Sequence, residues 1–178
     1  MDPKIHPPQD QCMDGEIHKT LMKRAGELLA RRAYSRAELK NKLAGLAEDL
    51  QIESALDRLE KLNLLNDEDF AYNFALRRVR QQGWSPARVR HALFRHQIGM
   101  PAVECALERV KNEVGDQPTI IWDYVQRHCG KRGLPIDRKG IRKLILHLRQ
   151  HGFDEENILS ALKGVISAAD LQPFGTGE

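Results

Sequence analysis

Apolar positions recur at helical spacing three times along the chain, and each recurrence opens in the same way. Ser35, Ser85 and Asp137 each follow a bulky apolar residue (Tyr34, Trp84, Ile136). Each is then followed, four and eight positions on, by an apolar pair: Leu39 and Leu43, Val89 and Leu93, Ile141 and Ile145. A short polar side chain that accepts from free amides, flanked by an apolar residue before it and another on the fourth helical position, marks a helix N-terminus closed by a hydrophobic staple. Glu38 completes a capping box with Ser35, and Pro86 takes a first helical position, where no N–H is needed. Asp137 is expected to accept from the free amides at the positive end of its helix.

A second pattern follows each cap. Ile52-x-x-Ala55-Leu56-x-x-Leu59, Val103-x-x-Ala106-Leu107-x-x-Val110 and Ile158-x-x-Ala161-Leu162-x-x-Val165 each place four apolar residues on one helical face. A further helix precedes each cap, with stripes at Ile17, Leu21, Ala25, Leu28 and Leu29, then at Phe70, Ala71, Phe74, Ala75 and Val79, then around Trp122 and Val125. The chain is therefore expected to be all-α, built of three tandem three-helix repeats over residues 15–65, 66–113 and 114–168 and stacked into an elongated, curved array. Residues 1–14 and 169–178 have no apolar face to bury and read as loose tails. Asn66 or Asp67 caps the first helix of the second repeat, with acidic residues in its first turn. The third repeat is the least regular, because Gly140 and Gly164 fall inside its helices, each costing about 1 kcal/mol relative to alanine.

Composition agrees with this architecture. Aromatic residues are only 6 % of the 178, against 41 % hydrophobic and 30 % charged, which suits an open helical protein better than a β-sandwich. Cys12, Cys105 and Cys129 are odd in number and far apart, so they frame neither a disulfide scaffold nor a zinc site. They read as reduced thiols, with Cys105 and Cys129 filling repeat cores. No apolar run reaches the ~18 residues of a membrane span, and the start lacks a signal-peptide core, so a cytoplasmic protein without membrane contact is expected.

Charge singles out the second repeat. Between Phe70 and Val103 lie Arg77, Arg78, Arg80, Arg88, Arg90 and Arg95, with no Asp, Glu or Lys; a chain of net charge +3 thus carries +6 here and −3 elsewhere. A solvated face normally interleaves signs, as residues 15–69 do with 11 acidic and 10 basic side chains. Arg77 and Arg80 point away from the apolar arc, and Arg88, Arg90 and Arg95 occupy non-core positions of the capped helix, so they are candidates for holding DNA phosphate or an acidic protein surface. Arg138, Lys139, Arg142 and Lys143 form a second candidate group at a helix N-terminus. Arg78 falls inside the apolar arc, where its stem is expected to pack and its head to snorkel or pair with a carboxylate among Asp67, Glu68 and Asp69. Arg31 and Arg32 are explained by the C-terminal end of a helix dipole. His147 and His151, spaced i and i+4, read as a surface pair beside Arg149 instead of a metal site, since no carboxylate or cysteine completes a ligand set. Tyr34 and Trp84 could stack on bases, but the staple gives each a packing role first.

Ala25-x-x-Leu28-Leu29-Ala30-Arg31-Arg32-Ala33-Tyr34-Ser35-x-x-Glu38-Leu39-x-x-Lys42-Leu43, then Leu65-Asn66-Asp67-x-x-Phe70-Ala71, then Arg78-x-Arg80-x-x-Gly83 and Arg88-Val89-Arg90-x-x-Leu93 resemble the RecX regulatory proteins of bacteria. The resemblance covers residues 25–110 and extends more faintly through the third repeat. Two positions depart from the family pattern: Ala92 replaces a usual acid, and Gln97 replaces a glycine that closes the helix. The resemblance implies three tandem three-helix repeats. It also implies a monomeric, non-enzymatic protein that binds the RecA recombinase filament on DNA, lies along its groove and restrains strand exchange, ATP hydrolysis and coprotease activity. Direct contact with the DNA phosphate backbone would be weak or indirect. The residues themselves show no phosphate-binding glycine loop, no His-Glu-x-x-His and no Ser, His and acid grouping, and call for no cofactor and no metal. The rival expectation is a general nucleic-acid-binding helical module with no recombinase target.

Overall fold

A computed structural model describes residues 9–130 and 137–163 of the chain. Among them lie nine helices and no strand: α1 (Gln9–Leu29), α2 (Arg36–Leu43), α3 (Asp49–Lys61), α4 (Asp67–Gln82), α5 (Pro86–Arg95), α6 (Met100–Val114), α7 (Gln117–Cys129), α8 (Arg138–Gln150) and α9 (Glu155–Leu162). They fall into three successive three-helix repeats. Helix α1 takes in residues 9–14, which the sequence assigned to a tail. Ile136, Gly164, Val165 and the expected tail at 169–178 lie outside the described residues.

The predicted caps account for the starts of α2, α4 and α5. Ser35 accepts from the Glu38 amide and Ser85 from the Arg88 amide, each such cap contributing about 1 kcal/mol. Of the two candidates at the next start, Asn66 is the cap, its Oδ1 accepting from the Glu68 and Asp69 amides. Two expectations need correction. Asp137 stands at the N-cap of α8 but makes no side-chain cap bond. Glu38 does not close a capping box, because its two carboxylate oxygens are taken by Arg32 and His96. Gln97 resolves the helix end that the missing glycine had opened to question: it adopts φ +58° itself, one residue after the His96 C-cap.

Within each repeat the first helix packs along the third, α1 on α3, α4 on α6 and α7 on α9. Burial follows the periodic stripes. Leu21, Ala25, Leu39, Leu43, Ile52, Leu56 and Leu59 close a core that belongs to the first repeat alone. The second and third repeats share one continuous core, running from Phe70, Val79, Val89 and Leu93 through Ile121 and Val125 to Leu148 and Ile158.

The middle helices α2, α5 and α8 set the arrangement of the array. The His96 carbonyl, at the C-cap of α5, accepts from Ser35 Oγ at the start of α2. One repeat on, the His151 carbonyl at the C-cap of α8 accepts from the Ser85 amide at the start of α5, and Arg88 Nη1 reaches the Gln150 carbonyl at 2.8 Å. The C-terminal end of each middle helix thus rests on the N-terminal end of the one before it. This gives free carbonyls donors and sets opposite dipole ends together. It also explains why Ser35 and Ser85 are completely buried, which a helix cap by itself does not require.

Candidate partner-binding surface

Helices α5 and α8 contain Arg88, Arg90, Arg95 and Arg138, Lys139, Arg142, Lys143, Arg149 respectively, and neither contains an acid. The third helix α6, by contrast, carries Glu104, Glu108 and Glu113 on its exposed face. The two basic groups, separate in sequence, therefore lie on equivalent helices joined end to end.

Their individual roles differ. Arg90 is committed to Glu104 through two bonds, Nε–Oε1 at 2.7 Å and Nη2–Oε2 at 3.1 Å, and this fork ties α5 to α6. Arg80 pairs with Glu113 at 2.7 Å. Arg88 lies over the Trp84 ring at 4.3 Å while donating to Gln150, so it is part of the junction between the second and third repeats. Arg77 and Arg95 are exposed and have no ion-pair partner among the described residues; the same holds for Lys139 and Lys143 on α8. Arg138 and Arg142 are exposed and each has a polar or electrostatic neighbour. Intramolecular bonds do not prevent Arg80, Arg88 or Arg90 from meeting a partner, but each must then leave or share a contact.

Arg78 packs its stem as the apolar arc required, yet its head finds no carboxylate among the described residues. The guanidinium lies 4.9 Å from the Phe74 ring centre and 4.7 Å from that of Trp84, and Nη1 donates to Gln82 Oε1 at 2.6 Å. Its Nε is buried without a partner. Two aromatic faces offset that loss electrostatically, each contributing about 0.5–1 kcal/mol.

Sequence reasoning missed the polar chemistry between repeats. At the first junction His96 Nδ1 meets Glu38 Oε1 at 3.0 Å, with the imidazole edge-on to Phe70 and Phe74. Burial works against the Glu38 carboxylate, but the Arg32 and His96 bonds outweigh it and hold this carboxyl below its usual range. Arg32 also covers the Tyr34 ring, and Arg36 bonds Glu53, Asp57 and Glu60, so both have work inside the first repeat. At the second junction His147 and His151 are not a surface pair. His147 stacks with His128 and Tyr124 while His151 lies tilted against Tyr124 and His147, the Tyr124 hydroxyl meeting His147 Nε2 at 2.8 Å and His151 Nδ1 meeting the Gly83 carbonyl at 2.9 Å. Burial, then the neighbouring His151 and His128, lower the His147 pKa. The one available signal was the recurrence of a histidine just before the left-handed residue that ends α5 and α8, His96-Gln97 and His151-Gly152, which α2 lacks.

Cys105 is exposed instead of filling a core, and Cys129 is half-buried. Among the described residues no group of His, Cys, Asp and Glu is arranged to hold a metal ion, and no helix is long and apolar enough to cross a membrane. Two clefts lie between the second and third repeats. One, of about 480 Å³, is lined by Arg80, Glu113, Asp123 and Arg127; the other, of about 400 Å³, by Arg90, Lys111, Asp116 and Asn157 over an apolar floor.

Comparison with known proteins bears on the same region. Residues 66–107 match the family model described as RecX, second three-helix domain. The regulatory protein RecX of Pseudomonas fluorescens (strain SBW25) is 34% identical over 141 residues, covering 79% of this chain and 88% of that protein. That of Stenotrophomonas maltophilia (strain K279a) is 32% identical over 146 residues, covering 82% and 86%. The crystal structure of RecX from Lactobacillus salivarius superposes with a TM-score of 0.69 at 18% identity, over 84% of this chain and 97% of that one, a likeness of fold.

Proposed function

The chain belongs to the RecX family of regulatory proteins, and from that premise we propose that it binds the RecA filament on DNA, along its groove, and restrains recombinase, ATPase and coprotease activities. The observation that carries this reading is the acid-free pair of middle helices, α5 and α8, joined end to end at Ser85 and His151. Their free cations, Arg95, Lys139 and Lys143, with Arg77 on α4, meet an anionic partner without first breaking a bond within the described residues. A filament offers both acidic protein surface and phosphate to such a row. Binding inhibits only to the extent that the regulator prefers one filament state over another, so its effect is a difference of affinities.

The test is co-sedimentation with RecA filaments on single-stranded DNA, beside bare DNA at matched salt. The parent chain is expected to pellet with filaments and to slow ATP hydrolysis. Arg95→Glu with Lys139→Glu and Lys143→Glu should lose both effects while keeping the parent's circular dichroism. Undiminished inhibition by that variant sinks the assignment of these residues. Equal binding to bare DNA, falling steeply with salt, supports the nucleic-acid module instead.

A further inference from the structure

The outer face of α5 presents more than charge. Phe94 is 38% exposed and Leu146, on α8, is 49% exposed. Counted from the buried residues Val89 and Ile141, which hold the same place after their caps, Phe94 and Leu146 occupy the same register, five residues on. Each lies beside an exposed cation that has no ion-pair partner among the described residues: Arg95 next to Phe94, Lys139 and Lys143 around Leu146. The arrangement occurs twice and stops there, because α2 has its C-cap Ala44 at the corresponding position.

Phosphate has nothing to offer a leucine side chain. An exposed apolar residue flanked by unpaired cationic side chains is complementary to an apolar socket with carboxylates on its rim. We infer that the outer faces of α5 and α8 dock on protein, with Phe94 and Leu146 entering two equivalent acid-rimmed sockets on successive copies of one partner subunit. Two equal anchors in one rigid row fit a partner that itself repeats, and together they bind as a bivalent unit. The inference rests on the filament reading above and specifies which component of the filament these faces touch.

The test combines Phe94→Ala with Leu146→Ala. Both side chains are exposed, so the fold should survive, and Leu62→Ala, an exposed leucine of the first repeat, serves as the control for lost surface apolarity. RecA filaments on single-stranded DNA and the bare single strand are the two probes, over a salt series. The expected result is filament affinity reduced about tenfold or more, no change on bare DNA, an unchanged slope against salt, and a control indistinguishable from the parent. Replacing Arg95 and Lys143 by Gln should, by contrast, flatten the salt slope. Filament affinity within about twofold of the parent overturns the inference while leaving the filament reading standing. An equal loss on bare DNA also overturns it, because the two side chains then contact the nucleic acid itself. A parent that self-associates through these residues assigns the face to a second copy and overturns it as well. If the parent itself ignores filaments, the underlying reading fails and this inference with it.

Discussion

Adding a single methyl group at Gly83 should strike the junction between the second and third repeats, and the size of the effect can be worked from neighbouring glycines. Gly83, the C-cap of α4, has φ +61°, and a Cβ built there falls 2.2 Å from Cδ2 of Tyr124, a ring held on α7 by the histidine stack. Gly45 has φ +84°, and nothing lies within 4 Å of its Cβ position. Both replacements by Ala incur a left-handed backbone cost of about 1–2 kcal/mol, but only the first also overpacks a core, for about 1–3 kcal/mol more. Gly152→Ala is intermediate in kind: φ is +88°, and the new carbon would lie 2.6 Å from Ser85 Oγ, dislodging a buried cap. Trp84 and Trp122 are the two tryptophans of the chain, both in the second and third repeats. Urea unfolding read by tryptophan fluorescence therefore reports this block, while circular dichroism reports the whole array. Gly83→Ala and Gly152→Ala should lower the fluorescence midpoint well beyond any change from Gly45→Ala. Equal effects in all three would refute the described seating of the third repeat on the second.

Other consequences are open to direct measurement. Glu38→Gln should cost about 1 kcal/mol at neutral pH. Because Glu38 is held below 4.5, the difference from the parent should vanish as pH falls through and below the ordinary carboxylate range, as thermal melts against pH would show. His147 titrates below 6.5 when folded, so the unfolded chain binds the extra proton and stability should decline as pH drops beneath that value. His147→Gln should blunt this decline in fluorescence-monitored melts. Cys105 is exposed and Cys129 half-buried, so Cys105 should react with a thiol reagent faster than Cys129, measurable by mass spectrometry of timed aliquots.

What was legible in the sequence was local. A cap, a staple and an i, i+3, i+4, i+7 stripe are set by residues within two turns of each other, and Ser35, Ser85, Asn66 and the buried stripes follow from them. Cys105 shows the same rule from the other side: it fills an x position of Val103-x-x-Ala106, so periodicity places it outward, and the general tendency of cysteine to be buried was the weaker guide. The fates of Glu38, Arg90 and His147 depended on partners 58, 14 and 23 residues away, His96, Glu104 and Tyr124. Nothing in the spacing of either member specifies such a pairing. For the candidate surface, sequence identified the basic segments but could not tell Arg95, free of ion pairs among the described residues, from Arg90, already bridging two helices.

The two junctions are built from different materials, and this bears on how a basic row could be presented. The second and third repeats share a core in which Val79, Ile121, Tyr124 and Leu148 belong to one apolar cluster, so α5 and α8 are fixed relative to each other by close packing. The first repeat has its own core and meets the second through polar bonds: Ser35 to His96, Glu38 to His96, and the Arg36 amide to Asp67 Oδ1 at 2.8 Å. Water can replace each of those bonds, whereas exposing a shared core costs about 25 cal/mol per Å² of apolar surface. Motion between the first repeat and the rest is therefore the softer mode. On the filament reading proposed above, a regulator matching a helical partner would gain from that division, with α5 and α8 keeping one spacing while the first repeat adjusts to the local pitch. The cost of distorting the array then falls on hydrogen bonds to a histidine and a serine, and the faces carrying Phe94 and Leu146 remain in register.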